Sequence, residues 1–373
     1  MTIIKFPTKP NKMTIVTEKH VVFFMTKRYT KIRHPAVLKF LANPFNKKFL
    51  ERRLPLKIGK KIFDSAEWMR NQSALFRLLV GSVFSLIVIF AGFWWVGGQI
   101  PNWGSTNQEV IASLPGDEII ASPDIIWNHA LTIRASPAEI YPWLVQTGDS
   151  RAAFYSITFI ENLFCMTTGE CHYVNADRIH KEWQNPIRGE QGIIINYLVI
   201  QDYLPAEFVL AKNSAALPLQ WSWLWYIHPQ DENSSRLIVR HRIDLPDDVP
   251  LGIFNLIMNS GYVMERAMML GIRERAEGRI PRAFEEPLGA LIWLLVFLSG
   301  IIAAVHFVKG SASWHALGVG LEVIVVLFIL TFIQPPFWLR LVFLMLIAAG
   351  VAIIYWQKAV RQSTSSTSAT SET

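Results

Sequence analysis

The residues best suited to chemistry in this chain lie between positions 150 and 185. Arg151, Tyr155, Glu161 and Asn162 come first, and Asp177, Arg178, His180, Glu182 and Trp183 follow. Glu161 and Asp177 are the candidate catalytic pair, because a positioned carboxyl can give or take a proton. The same set serves equally well as a salt-bridge and hydrogen-bond network tying two helices to a sheet. Spacing puts Arg151, Tyr155, Glu161 and Asn162 on one or two faces of a predicted helix, with Asp177, Arg178 and Glu182 available to pair with them. There is no G-x-S-x-G and no supported S-x-x-K. There is no phosphate loop, no G-x-G-x-x-G after a strand and no H-E-x-x-H. These absences weigh against a hydrolase, a kinase or a dehydrogenase. Arg240 and Arg242 share a strand face by period two. They meet either an acidic ligand or the carboxylates of Glu265 and Asp202. Cys165 and Cys171 either pair across a short loop in an oxidising compartment or stay as thiols. Two cysteines without clustered histidines make no zinc site, so neither a metal nor a cofactor is expected.

The elements that must position these groups follow from periodicity. Ala121–Pro137 reads as a strand, and Ser136, Pro137 and Glu139 mark a helix start. A short helix over Ala138–Thr147 follows, distorted at Pro142, and a second covers Arg151–Phe164. Strands are expected at Gly192–Ile200, Glu207–Ala211, Gln220–His228 and Ser235–Leu245, with a turn at Pro229–Ser235. Trp221, Trp223 and Trp225 alternate onto one strand face. A long helix over Pro250–Ala276 closes the domain. The order implies an α+β domain with a curved antiparallel sheet gripping that helix. Such a sheet can leave an apolar cavity beneath the helix. Its candidate lining is Trp143, Arg151, Tyr155, Trp183, Trp221, Trp223, Met258 and Met264; the tryptophans serve equally well as ordinary core.

Apolar residues are 51% of the chain and charged residues 17%. The excess falls in four runs, 75–96, 288–308, 316–333 and 336–356. Each approaches the ~20 residues needed to cross a bilayer core. Trp94, Trp95, Tyr355 and Trp356 sit near run ends, where rings favour the headgroup region. Residues 1–77 carry 18 Lys and Arg against 4 Asp and Glu; residues 98–287 carry 14 against 23. The basicity therefore belongs to one segment, 1–74, weakly ordered or lying on an anionic inner leaflet. It is no nucleic-acid signal. The positive-inside rule puts both termini in the cytoplasm and the 103–282 domain outside the cytoplasmic membrane. Residues 362–373 read as a disordered tail. Glu322, roughly 12 Å into the third run, is expected to face other helices or to stay protonated, with Gly318 and Gly320 allowing close packing.

Several strings resemble the SRPBCC proteins, the START-like or helix-grip superfamily of polyketide cyclase/dehydrase type. They are LPGDE at Leu114–Glu118, IRASPAEIYPWLVQTGDSRAAFYS at Ile133–Ser156 and IENLF at Ile160–Phe164. NADRIHKEWQ at Asn175–Gln184 and MERAMMLGIRERAE at Met264–Glu277 continue in order. The resemblance spans roughly 105–280 and implies a hydrophobic ligand under the long helix, with only some members acting as enzymes. A fold hosts many activities, so three functions stand open. One is a membrane-anchored module binding a hydrophobic small molecule or lipid. The second is a cyclase- or dehydratase-like enzyme using Glu161 or Asp177. The third is a structural or regulatory membrane protein.

Overall fold

The computed structural model describes residues 68–149, 151–165, 173–189, 192–194, 197–215, 218–310 and 313–369. Residues 1–67 of the expected basic segment lie outside them, as does Cys171, so the cysteine pairing does too.

In chain order the elements begin with helix α1 (Ala74–Gln99), capped by the Ser73 side chain, which accepts from the Phe76 N–H. A 3₁₀ turn (Ile100–Asn102) leads to α2 (Asn107–Ile111) and strand β1 (Ile125–Ile133). Helix α3 (Pro137–Val145) starts at the Ser136–Glu139 capping box, which satisfies two otherwise orphaned N–H groups. Helix α4 (Thr158–Cys165) follows. Next come β2 (Gly192–Ile194), β3 (Leu198–Leu204), β4 (Phe208–Asn213), β5 (Gln220–Asp231) and β6 (Ser234–Asp244). The long helix α5 (Leu251–Ala276) completes the α+β domain. Then come α6 (Glu285–Val308), α7 (Ser313–Phe328) with a π-helical turn at Ile329–Ile333, and α8 (Phe337–Ala369).

The six strands form one antiparallel sheet in the order β1-β6-β5-β4-β3-β2. Alternation gives it two apolar faces. One packs under α3 and α5 through Leu144, Trp223, Trp225, Met268, Met269 and Ile272. The other buries Leu114, Leu210, Leu224 and Ile238. A third cluster joins the sheet to the apolar helices: Ile100, Trp127, Ile243 and Tyr262 pack with Met258, Phe328 and Phe332.

Four helices, Ala74–Asn102, Glu285–Val308, Trp314–Ile333 and Phe337–Ala359, are long and apolar enough to cross a membrane. Arg77 ties the start of α1 to the end of α6, its guanidinium donating to the carbonyl of Val308 at 2.8 Å and of Arg70 at 2.9 Å. Helix ends leave such carbonyls without intrahelical donors.

Several expectations need correction. Of the expected Arg151–Phe164 helix only the part from Thr158 on is helical, in a helix that runs Thr158–Cys165; Ala153 (φ 54°) and Tyr155 (φ 55°) are left-handed, which a helix cannot contain. The expected Gly192–Ile200 strand divides into β2 and β3. Helix α8 runs to Ala369, past residue 362 where the tail was expected to begin. Glu322 is exposed on the outside of α7, because its inward face is apolar: Leu317, Val323, Val326 and Leu330 are all buried. Gly318 and Gly320 have no neighbour where a Cβ would stand. Close helix approaches come instead at Gly92, against Phe328, Gly300, against Val323, and Gly350, against Val319.

Candidate functional site

Three places in the α+β domain carry chemistry. The most buried is a His–Glu–His group between the sheet and α5. Period two turns His129 of β1 and His241 of β6 inward, and Glu265 of α5 meets both rings. All three are at most 6% exposed. Trp221 Nε1–H donates to His241 Nδ1 at 3.0 Å, and Trp223 Nε1–H donates to Glu265 Oε2 at 3.1 Å. His129 Nε2 faces the Ile100 carbonyl at 2.7 Å.

Carbonyls only accept, so His129 Nε2 carries a proton. His241 Nδ1 accepts from Trp221, so its Nε2 proton points at Glu265. One further proton lies between His129 Nδ1 and Glu265. Burial raises the Glu265 carboxyl, but attraction to His241 and His129 outweighs it and holds the group well below the usual carboxylate range. Two histidines and a carboxylate also make a donor set of the zinc type, and their donor atoms lie within 4.8 Å of one another. Here the His241 lone pair is already taken by Trp221, so the set closes as a hydrogen-bond network and leaves no His241 nitrogen free for a metal. Through Ile100 the network ties α5 and the sheet to the end of the first apolar helix.

The second place is the region singled out in sequence. Arg151 is buried and gives its protons to the carbonyls of Val145, Thr147 and Gly192. Burial pushes its guanidinium down to about 10. Gln146 Nε2 donates to the Tyr155 hydroxyl at 2.6 Å and to the Arg178 carbonyl at 3.1 Å. The Arg275 guanidinium lies 4.2 Å over the Tyr155 ring, and Trp143 packs edge-on against it. These contacts hold a strained loop. Asn162 brackets the backbone of Tyr173.

Glu161 stands apart. It is 8% exposed, and neither carboxyl oxygen has a hydrogen-bond partner among the described residues. Burial, reinforced by the charges of Glu286 and Asp149, raises it to about 8. At neutral pH it is a protonated acid. Asp177 and Arg178 are exposed and meet neither Glu161 nor each other in an ion pair. His180 stacks on Trp183 at 4.0 Å and pairs with Glu182 at 3.0 Å. Arg240 and Arg242 meet Asp117, at 2.7 and 3.6 Å, in place of the expected Glu265 and Asp202; their strand face points away from α5. Asp202 pairs with Arg188.

The third place is the surface. Of the expected lining residues, Trp143, Arg151, Tyr155 and Trp223 are buried, and Trp143, Tyr155 and Trp223 belong to the apolar cluster that includes residues of α3 and α5. Trp183, Trp221, Met258 and Met264 are half-buried. One open cleft of about 440 Å³ lies at the ends of β5 and β6, lined by Asn213, Leu219, Gln220, Asp244 and Leu245. Leu219 and Leu245 also pack into the cluster that includes Trp221 and Met258. A second cleft, of about 400 Å³, lies between the end of α5 and the start of α8.

Sequence reading missed His129 and His241. The usable signal was alternation: His241 sits between two outward arginines, and His129 two positions from Trp127.

Fold and composition together define an α+β domain joined to four helices fit to cross a membrane. No family model matches the chain, and no curated protein does. Among solved structures, it is similar to a conserved protein of unknown function from Enterococcus faecalis. The identity is 11%, over 43% of this chain and 80% of that one, with a TM-score of 0.21. It is also similar to the di-domain ARO/CYC StfQ from the steffimycin biosynthetic pathway. There the identity is 10%, over 42% of this chain and 50% of that one, with a TM-score of 0.22. Likenesses this slight assign neither family nor activity.

Proposed function

We propose that this is a membrane-anchored protein whose helix-grip, START-like domain holds a hydrophobic small molecule or lipid at its membrane-facing end. The observation that carries the reading is the 440 Å³ cleft, two of whose lining residues, Leu219 and Leu245, also pack into the apolar cluster shared with α1 and the π-helical turn. Small-molecule sites are concave and mostly apolar, with a few polar groups, and measure roughly 300–1,000 Å³. Native mass spectrometry of the purified full chain tests it. The expected result is a bound apolar molecule that is lost in Leu219→Glu. Nothing retained by the unaltered chain would sink the proposal.

A second reading is supported by Glu161. A buried carboxyl kept neutral near pH 7 is suited to donate a proton, as a cyclase- or dehydratase-like reaction requires. Any conversion found should vanish in Glu161→Gln and persist in Asp177→Asn, whose side chain is exposed. A conversion that survives Glu161→Gln removes Glu161 from the chemistry.

A further inference from the structure

Helix α4 is turned the wrong way round for a helix on a water-facing surface. Such helices put their apolar stripe inward and their polar side outward. Here Phe159 and Leu163, four residues apart and so on one face, are 65% and 55% exposed. Glu161, on the opposite face, is buried with neither carboxyl oxygen bonded among the described residues. Asn162 is half-buried and holds the Tyr173 backbone. Val174, 76% exposed, follows directly on Tyr173.

Contacts at the start of α4 fix this orientation. The Thr158 hydroxyl and the Phe159 N–H both donate to Glu286, in the first turn of α6. Just before α4, the Ser156 hydroxyl donates to the Met264 carbonyl at 3.1 Å. The adjacent Val263 carbonyl accepts from Gln334, at the end of the third apolar helix, at 2.7 Å. The start of α4 therefore stands beside the ends of two of the four helices fit to cross a membrane. At this end of the bundle Arg340 of α8 lies against Gly289 of α6, and Trp338 is exposed, as tryptophans at the headgroup level are.

Against water the orientation is unfavourable on both sides. It bares an aromatic ring and a leucine side chain, and it leaves a carboxyl desolvated without a donor. Half a turn of rotation about the helix axis would reverse both. Against lipid the exposed face is the right one, and Glu161 is turned away from the hydrocarbon. Interfacial amphipathic helices lie in the membrane plane with their apolar side sunk roughly 5–10 Å into the boundary of headgroups and acyl chains.

We propose that α4 lies on the bilayer surface, with Phe159 and Leu163 sunk into the lipid as a non-spanning contact between the α+β domain and the membrane. The occupant of this face is the bilayer because the helix is bonded to the ends of the apolar helices. The proposal rests on the membrane-anchored part of the function given above and needs no ligand in the Leu219 cleft.

Spin labels test it in the full chain, with Cys165 and Cys171 replaced by serine, in phosphatidylcholine vesicles. Single labels are placed at Phe159→Cys and Leu163→Cys, at Leu295→Cys on the exposed side of α6, and at Glu232→Cys in the exposed β5–β6 turn. Collisions with oxygen are expected to exceed those with a water-soluble nickel chelate at 159, 163 and 295, and to fall below them at 232. Preference for the chelate at 159 and 163, with oxygen preferred at 295, overturns the proposal alone. Preference for the chelate at 295 as well removes the membrane reading, and the proposal with it. Labels at 159 and 163 shielded from both reagents would put protein over this face and also overturn it. The unaltered chain covers the case in which the variants do not fold. Photolysis with a diazirine-bearing phosphatidylcholine should label the peptide containing Phe159 and Leu163, and labelling of α6 without that peptide overturns the proposal.

Discussion

Glu161 shows how one buried side chain shapes the response of the protein to pH. Its folded carboxyl holds a proton up to about pH 8, against an ordinary value of 4.5. The unfolded chain gives that proton up earlier, so its contribution to stability is complete below pH 4.5 and falls as pH rises toward 8. Thermal unfolding of the full chain between pH 5 and 9 should show this decline, and Glu161→Gln should flatten it. An unchanged slope in that variant would refute the assignment. The His129–Glu265–His241 network makes the opposite demand, for a charged group held deep in the protein. Removing one partner of a buried ion pair typically costs ~3–5 kcal/mol. Glu265→Ala is expected to fall in that range by denaturant unfolding, and a loss under ~1 kcal/mol would show that the network is not needed. Neither behaviour is visible in a residue type alone. Glu161 was singled out by its neighbours in sequence, whereas its isolation from Asp177 follows from where the chain places 177.

At the scale of elements, α5 is the hub. It covers the sheet, shares Glu265 with β1 and β6, and is bonded to the end of the third apolar helix. Gln334 donates to the Val263 carbonyl at 2.7 Å, and Arg266 to Ile333 at 3.2 Å. Its approach to the Tyr155 loop depends on Gly271, where a Cβ would collide with the Tyr155 backbone. Gly271→Ala should therefore destabilise the domain by ~1–3 kcal/mol, as overpacking does, despite alanine's better helix propensity. Greater stability in that variant would mean the loop can retreat without loss. The long helix and the alternating strands were legible because apolar spacing repeats over many residues. The Arg151–Ser156 loop was not. Its apolar spacing imitates a helix, while the contacts that hold it open come from Val145, Gly192 and Arg275, all outside the segment.

For the whole molecule, the connection between α1 and the sheet and the return from α5 to α6 put the domain at one end of the four apolar helices. If those helices cross a membrane, the domain and the C-terminal tail lie on opposite sides. In a chain whose two native cysteines are replaced by serine, Gln108→Cys and Ser365→Cys should react with an impermeant thiol reagent from opposite faces of sealed vesicles. Labelling of both from one face would exclude three crossings between the domain and the C-terminal tail. The sequence by itself determined the four apolar helices, the helix start at Ser136 and the inward and outward faces of the strands. Each is written in local composition and periodicity, which act over a few residues. Only the tertiary structure decided that His129 meets Glu265 across 136 residues, and that Glu322 faces outward. Those outcomes depend on strand register and helix rotation, which are set by the packing of whole faces against one another.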